Sequence, residues 1–153
     1  MLLTRFVHFF AMCLWLGAMV AAMVMAIVAQ SESLSSRLSL FRVVGRVYSF
    51  IIGPSAIVTV LTGVALTMSM TQQTGADTAS MGTWVMELTG LLAGIVILFA
   101  GLPTATKLGR LADMAGDGGP SPAFERMRKR LAVIAYVVAT LFVLSLFFGT
   151  ALQ

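Results

Sequence analysis

The sequence predicts an all-α fold: a transmembrane four-helix bundle with both termini extracytoplasmic. Three observations predict it. Apolar side chains make up 59% of the 153 residues and charged ones only 10%, against roughly 45–50% and about 25% in soluble domains. Four separate stretches reach the ~20 mostly apolar residues that a helix needs to cross the hydrocarbon core. Lys and Arg, finally, gather in two of the segments between those stretches. A water-soluble globule this small needs more charge to cover its surface. A mean hydropathy of +0.98 is equally far from disorder. The whole chain, 1–153, reads as one integral membrane domain.

The first span runs over about residues 6–29 without a charge. Arg5 before an apolar run has the look of a secretory signal, but such a signal's apolar region is only about 7–15 residues long, so the span is read as a retained helix. The segment that follows carries Arg37, Arg42 and Arg46. Leu34, Leu38 and Phe41 recur there at helical spacing, which predicts a short amphipathic helix on the inner membrane surface, capped by Ser31 or Ser33. The second span covers about 47–70. Gly53-Pro54 near its inner third predicts a kink, with neighbouring hydroxyls helping to satisfy the freed carbonyl. Ser55, Thr59 and Gly63 share one face and predict a packing seam.

The segment 71–83 has no Lys or Arg. The third span covers about 84–106 and carries one charge, Glu87, near its start. Gly90 and Gly94 form a GxxxG pair, with Gly101 two turns on, the small-residue pattern by which helices approach closely in lipid. Lys107, Arg110, Arg126, Arg128, Lys129 and Arg130 follow, around a Gly- and Pro-rich stretch from Gly109 to Pro122 that predicts a mobile loop. The fourth span covers about 131–152. Nine of the ten Lys and Arg thus lie in two segments on one face of a four-span protein, which the positive-inside rule makes cytoplasmic. This placement also accounts for the net charge of +4: anionic lipid headgroups are the expected partners, and nucleic acid is not.

A single cysteine, Cys13, excludes an intramolecular disulfide, and a single histidine, His8, excludes a multi-histidine cage. Glycine loops for phosphate, H-E-x-x-H, CxxC and nucleophile–base pairs are all missing from the sequence, so a hydrolase or kinase is not expected. An ionisable residue inside a span is costly and marks a functional site. His8 and Glu87 qualify, each about one turn inside the outer end of its span, where a carboxylate can orient an imidazole. His8, Met12, Trp15, Met19 and Met23 form one helix face. Met68, Met70, Met81 and Met86 lie toward the same end. Imidazole with thioether suits haem iron or Cu(I), although methionine also fills irregular gaps between helices, and packing is the simpler reading of the stripe taken alone. Glu87 can equally be read as reaching water.

Helix one reads FVHFFAMCLWLGAMV, with Trp15 and Gly17 seven and nine residues after His8. Helix two reads RVYSFIIGPSAIVTVLTGVALTM, and helix three opens with GTW. Over roughly residues 6–100 this pattern resembles small bacterial membrane families, among them the membrane domain of copper-resistance protein D, the HemJ-type protoporphyrinogen oxidases and their four-helix relatives. The resemblance implies a bacterial inner-membrane protein binding haem b or copper. It makes His8 the axial ligand and Met12, or an outer methionine such as Met68 or Met86, a second one. Glu87 would tune the site and Trp15 would form part of its wall. The oxidase-type relatives have a lysine four residues after the tryptophan that opens helix three. Here that residue is Leu88, which argues against the oxidase reaction. The competing expectation is a non-enzymatic bundle that forms a homo-oligomer, or joins a larger membrane complex, through its small-residue faces.

Overall fold

The computed structural model describes residues 2–74, 81–115 and 119–151. Every regular element among them is helical: α1 (Leu2–Val28), α2 (Leu34–Val47), α3 (Gly53–Thr74), α4 (Met81–Val96), α5 (Leu102–Met114) and α6 (Pro122–Ala151). Two π-helical segments, Tyr48–Ile52 and Ile97–Gly101, join α2 to α3 and α4 to α5. Four of the resulting helices are long and apolar enough to cross a membrane: Leu2–Val28, Leu34–Ser69, Trp84–Met114 and Pro122–Phe148. The chain therefore has the architecture of a multi-pass membrane protein. Residues 75–80 of the expected outer loop and residues 116–118 of the expected mobile loop lie outside the described residues.

The second and third helices are longer than their apolar stretches. With α2, the π segment and α3 contributing 14, 5 and 22 residues, the second helix is about 60 Å long at 1.5 Å per residue, twice the hydrocarbon thickness. Leu34–Val47 is helical, but it continues into the second span without a turn, so the separate surface helix expected there is not seen. Its apolar line is covered by protein over two of its three residues: Leu38 and Phe41 are buried while Leu34 is exposed, and the Phe41 ring packs edge-on against Phe124 at 5.3 Å. α5 is its main neighbour. Ser33 stands at the N-cap but makes no capping bond. Its hydroxyl turns instead to those of Ser35 and Ser36, and Ser31 bonds back to the Val28 carbonyl.

The expected disturbance at Pro54 takes the form of a widened turn. A proline has no N–H to give and its ring crowds the carbonyl four residues back; a π turn relieves both. The Gly53 N–H reaches the Tyr48 carbonyl, and Ser55 donates to the Ile51 carbonyl at 2.5 Å. The same device recurs before Pro103, where the Leu102 N–H reaches the Ile97 carbonyl. The two π segments lie side by side, because a Cβ on Gly53 would stand 3.5 Å from the Leu102 methyls and one on Gly101 would stand 3.6 Å from the Tyr48 ring. Elsewhere, Ser49, Thr59, Thr62, Thr89, Thr106 and Thr140 bond to the carbonyl four residues earlier. Each of these hydroxyls is thereby satisfied where lipid would offer no partner.

Small residues set the helix approaches. Ser55 and Thr59 are buried in the expected seam. A Cβ on Gly94 would fall 2.5 Å from a Val60 methyl, so α4 touches α3 there; at Gly90 the same construction meets nothing within 4 Å. The tightest backbone approach lies elsewhere, at Gly45 of α2 and Gly109 of α5. Around it the basic segments converge. Glu125 on α6 pairs with both Arg37 and Arg128. The Arg42 Nε lies 2.8 Å from an Asp113 carboxylate oxygen, an ion pair without hydrogen-bond alignment.

Candidate functional site

At the end of the bundle away from nine of the ten basic residues, the start of α1, the end of α3, the start of α4 and the end of α6 come together. His8 bonds to α3, and the Ser145 hydroxyl of α6 donates to the Met86 carbonyl of α4. His8 belongs to the stripe that the sequence places on one face, and that face is the one α1 turns inward. Trp15 and Met19 are buried, and Met12 and Met23 pack against the core from its edge.

The His8 ring is half-buried against α3. Its Nδ1 lies 3.1 Å from the Thr59 carbonyl oxygen and 3.0 Å from the Thr62 hydroxyl oxygen. A carbonyl can only accept. The Thr62 hydroxyl already donates to the Val58 carbonyl at 2.6 Å, so its oxygen also presents a lone pair to the ring. Donation from Nδ1 to the Thr59 carbonyl puts the proton on Nδ1 and leaves the lone pair on Nε2. Gly63 gives the ring its room: a Cβ there would stand 3.2 Å from His8 Cε1. Of these three neighbours, sequence reasoning singled out Thr59 and Gly63 as seam residues only. Thr62 was missed, although a hydroxyl one turn along α3 from Thr59 was visible as a second acceptor.

Glu87 stands elsewhere. It lines a cavity of about 410 Å³ between α3 and α4, together with Val64, Thr67, Met68, Gln72 and Trp84. Its Oε2 is buried and, among the described residues, without a hydrogen-bond partner. Among the described residues no hydrogen bond or ion pair joins His8 to Glu87, a pairing that the sequence allows. The two side chains share an end of the bundle but address α3 at different heights: Thr59 to Gly63 for the imidazole, Val64 to Gln72 for the carboxyl. Thr62 and Thr67 alone are about 7.5 Å apart along the axis.

The outer methionines divide in the same way. Met68 is exposed and lines the Glu87 cavity, whereas Met86 is exposed on α4. The side chains of Met70 and Met81 lie outside the described residues. Trp15 is 1% exposed, with its ring packed edge-on against Phe142 of α6 at 4.7 Å, and its Nε1 has no partner. Cys13 is exposed. Among the described residues no three His, Cys, Asp or Glu side chains gather as they would around a metal ion. A soft ion held by one imidazole and thioethers would need no such group. No protein-family model, curated protein or solved structure matches the chain.

Proposed function

We propose that this chain is a multi-pass protein of a bacterial inner membrane that handles a soft metal centre through His8 Nε2, near the extracytoplasmic face. The observation that carries the reading is the pair of oxygens within hydrogen-bond reach of His8 Nδ1. Metal-binding imidazoles characteristically donate their other N–H to a carbonyl or carboxylate, which aims the ring and raises its basicity. The Thr59 carbonyl and the Thr62 hydroxyl supply that arrangement here. Met12, one turn further along α1, has a soft thioether on the same side of the helix. Imidazole and thioether together suit Cu(I). Haem iron would take the same nitrogen; with a thioether on the same side of α1, copper is the reading we adopt. Bound there, it would supply one-electron chemistry or a station in metal transfer. The outward assignment of this end follows from the nine basic residues at the other, where anionic lipid headgroups are the expected contact.

Titration of the purified protein with Cu(I) against a colorimetric chelator tests the reading. One Cu(I) per chain is expected. Thr62→Val should weaken binding by about tenfold, the lower end of what loss of such a supporting partner costs, and His8→Ala should abolish it. Unchanged affinity in His8→Ala would overturn the proposal. A Soret band lost in His8→Ala would replace copper with haem.

Gly90 favours a second reading, in which the bundle assembles with a copy of itself. Its GxxxG partner Gly94 is used within the chain, while Gly90 is open, as a position awaiting another helix would be. On this reading Gly90→Leu converts the dimer to a monomer in mass measurements of detergent-solubilised protein. A wild-type chain that is already monomeric sinks it.

A further inference from the structure

The cavity between α3 and α4 has the makings of a separate site, one that does not depend on His8. It combines a carboxyl oxygen, Glu87 Oε2, that is buried and has no hydrogen-bond partner, an exposed indole ring, Trp84, and the apolar side chains of Val64 and Met68. A buried carboxylate oxygen with no donor is unfavourable, so the group that completes this site is a donor.

We propose that the cavity binds the ammonium group of an amphiphile. The ammonium donates to Glu87 Oε2 in a charge-assisted bond, the Trp84 ring offers its face to the cation, and Val64 and Met68 flank the apolar part of the ligand. Three observations select this chemistry. An anion would meet a carboxylate and no basic side chain in the cavity lining, since nine of the ten Lys and Arg lie in the segments at the other end and residues 71–83 have none. A hard divalent cation would want several oxygen ligands from carboxylates, and among the described residues no group of three such side chains exists. A tryptophan at the first turn of a span sits at headgroup depth, where an ammonium-bearing amphiphile places its charge. The ammonium has two possible sources: a lipid with an ethanolamine headgroup, or a free alkylamine.

The test follows the fluorescence of Trp84 in detergent-solubilised protein, with Trp15, the only other tryptophan, as a buried background. The probes are hexylamine, hexanol, and short-chain phosphatidylethanolamine and phosphatidylglycerol. Both amines should bind at least about tenfold more tightly than hexanol or phosphatidylglycerol, as a charge-assisted bond exceeds a neutral one. Comparable binding of hexylamine and phosphatidylethanolamine supports the site with the headgroup alone sufficing; much tighter binding of the lipid supports it with the lipid as ligand. Glu87→Gln should lose that selectivity while its unliganded unfolding midpoint stays at or above the wild-type value. Should Glu87→Gln fail to fold, Trp84→Leu is the second variant; it removes the fluorescent reporter, so its amine binding is followed by isothermal titration calorimetry beside the wild type and should be several-fold weaker by loss of the cation–ring contact. Equal binding of hexanol or phosphatidylglycerol, or full amine affinity in Glu87→Gln, overturns the proposal.

Discussion

Gly45→Val is expected to lower stability by about 3 kcal/mol, at the upper end of what overpacking a close contact typically costs. A Cβ on Gly45 would stand 3.1 Å from the Ala105 carbonyl oxygen and 3.2 Å from the Gly109 Cα. Both are backbone atoms of α5, so no side-chain rotation can relieve the contact. Valine adds two further carbons, and α2 and α5 must separate. Separation also strains the Arg42–Asp113 pair that bridges the same two helices. The neighbouring substitution has the opposite sign. At Gly109 a Cβ would meet the Gly45 Cα at 3.5 Å and the Phe41 carbonyl oxygen at 3.9 Å, which is ordinary contact. Gly109→Ala should therefore be neutral or should gain part of the ~1 kcal/mol by which alanine exceeds glycine in a helix interior. Unfolding in mixed micelles, followed by far-UV circular dichroism, measures both. A Gly45→Val protein with the wild-type midpoint would mean that α2 and α5 do not meet in the folded chain.

The contrast between these glycines also explains how much of the fold was legible in the sequence. The spans were readable because lipid imposes a severe rule: about 20 apolar residues without charge, all helical. Their ends were not. Arg37, Arg42 and Lys107 mark where the apolar run stops, but a helix can run on past that point if another helix covers its apolar side, as α5 and Phe124 do for Leu38 and Phe41. A spacing rule within one helix found Gly90 and Gly94. It could not find Gly45 with Gly109, because that contact pairs single glycines from two helices 64 residues apart in sequence. Pro54 announced a disturbance, while Pro103, preceded by Ala100-Gly101-Leu102, carried the same signal and went unread.

The site was legible in depth and not in direction. The positions of His8 and Glu87 in their spans place both toward one end of the bundle. Which way each side chain points depends on how α1 and α4 are rotated about their axes, and packing against α3 decides that. The four-and-three spacing of the His8 stripe marks the face of α1 on which Trp15 and Met19 are buried, although Phe9, Phe10 and Leu16 make the outer faces of the helix apolar as well. Glu87 had no comparable stripe, and its neighbours Thr67 and Gln72 on α3 could not be deduced from its own helix.

Trp15 carries the other large effect. It is the largest fully buried side chain in the bundle, and its edge-on contact with Phe142 ties α1 to α6, two helices that otherwise touch little. In lipid, association rests on packing rather than on removal of apolar surface from water, so the loss of this ring is felt as a cavity and as a lost aromatic pair. Trp15→Ala should lower stability by about 3–4 kcal/mol, within the range for large aromatic truncations. Trp15→Phe separates two contributions. The indole Nε1 has no acceptor, so phenylalanine forfeits no hydrogen bond and removes a buried polar group whose isolation is itself unfavourable. It should keep most of the edge-on contact and lose about 1 kcal/mol or less, comparable to a tolerated change of size in a core. Denaturation in mixed micelles ranks the three proteins. If phenylalanine proves as damaging as alanine, the indole N–H has a partner in the folded protein, and Trp15 then stands beside a polar group or ligand.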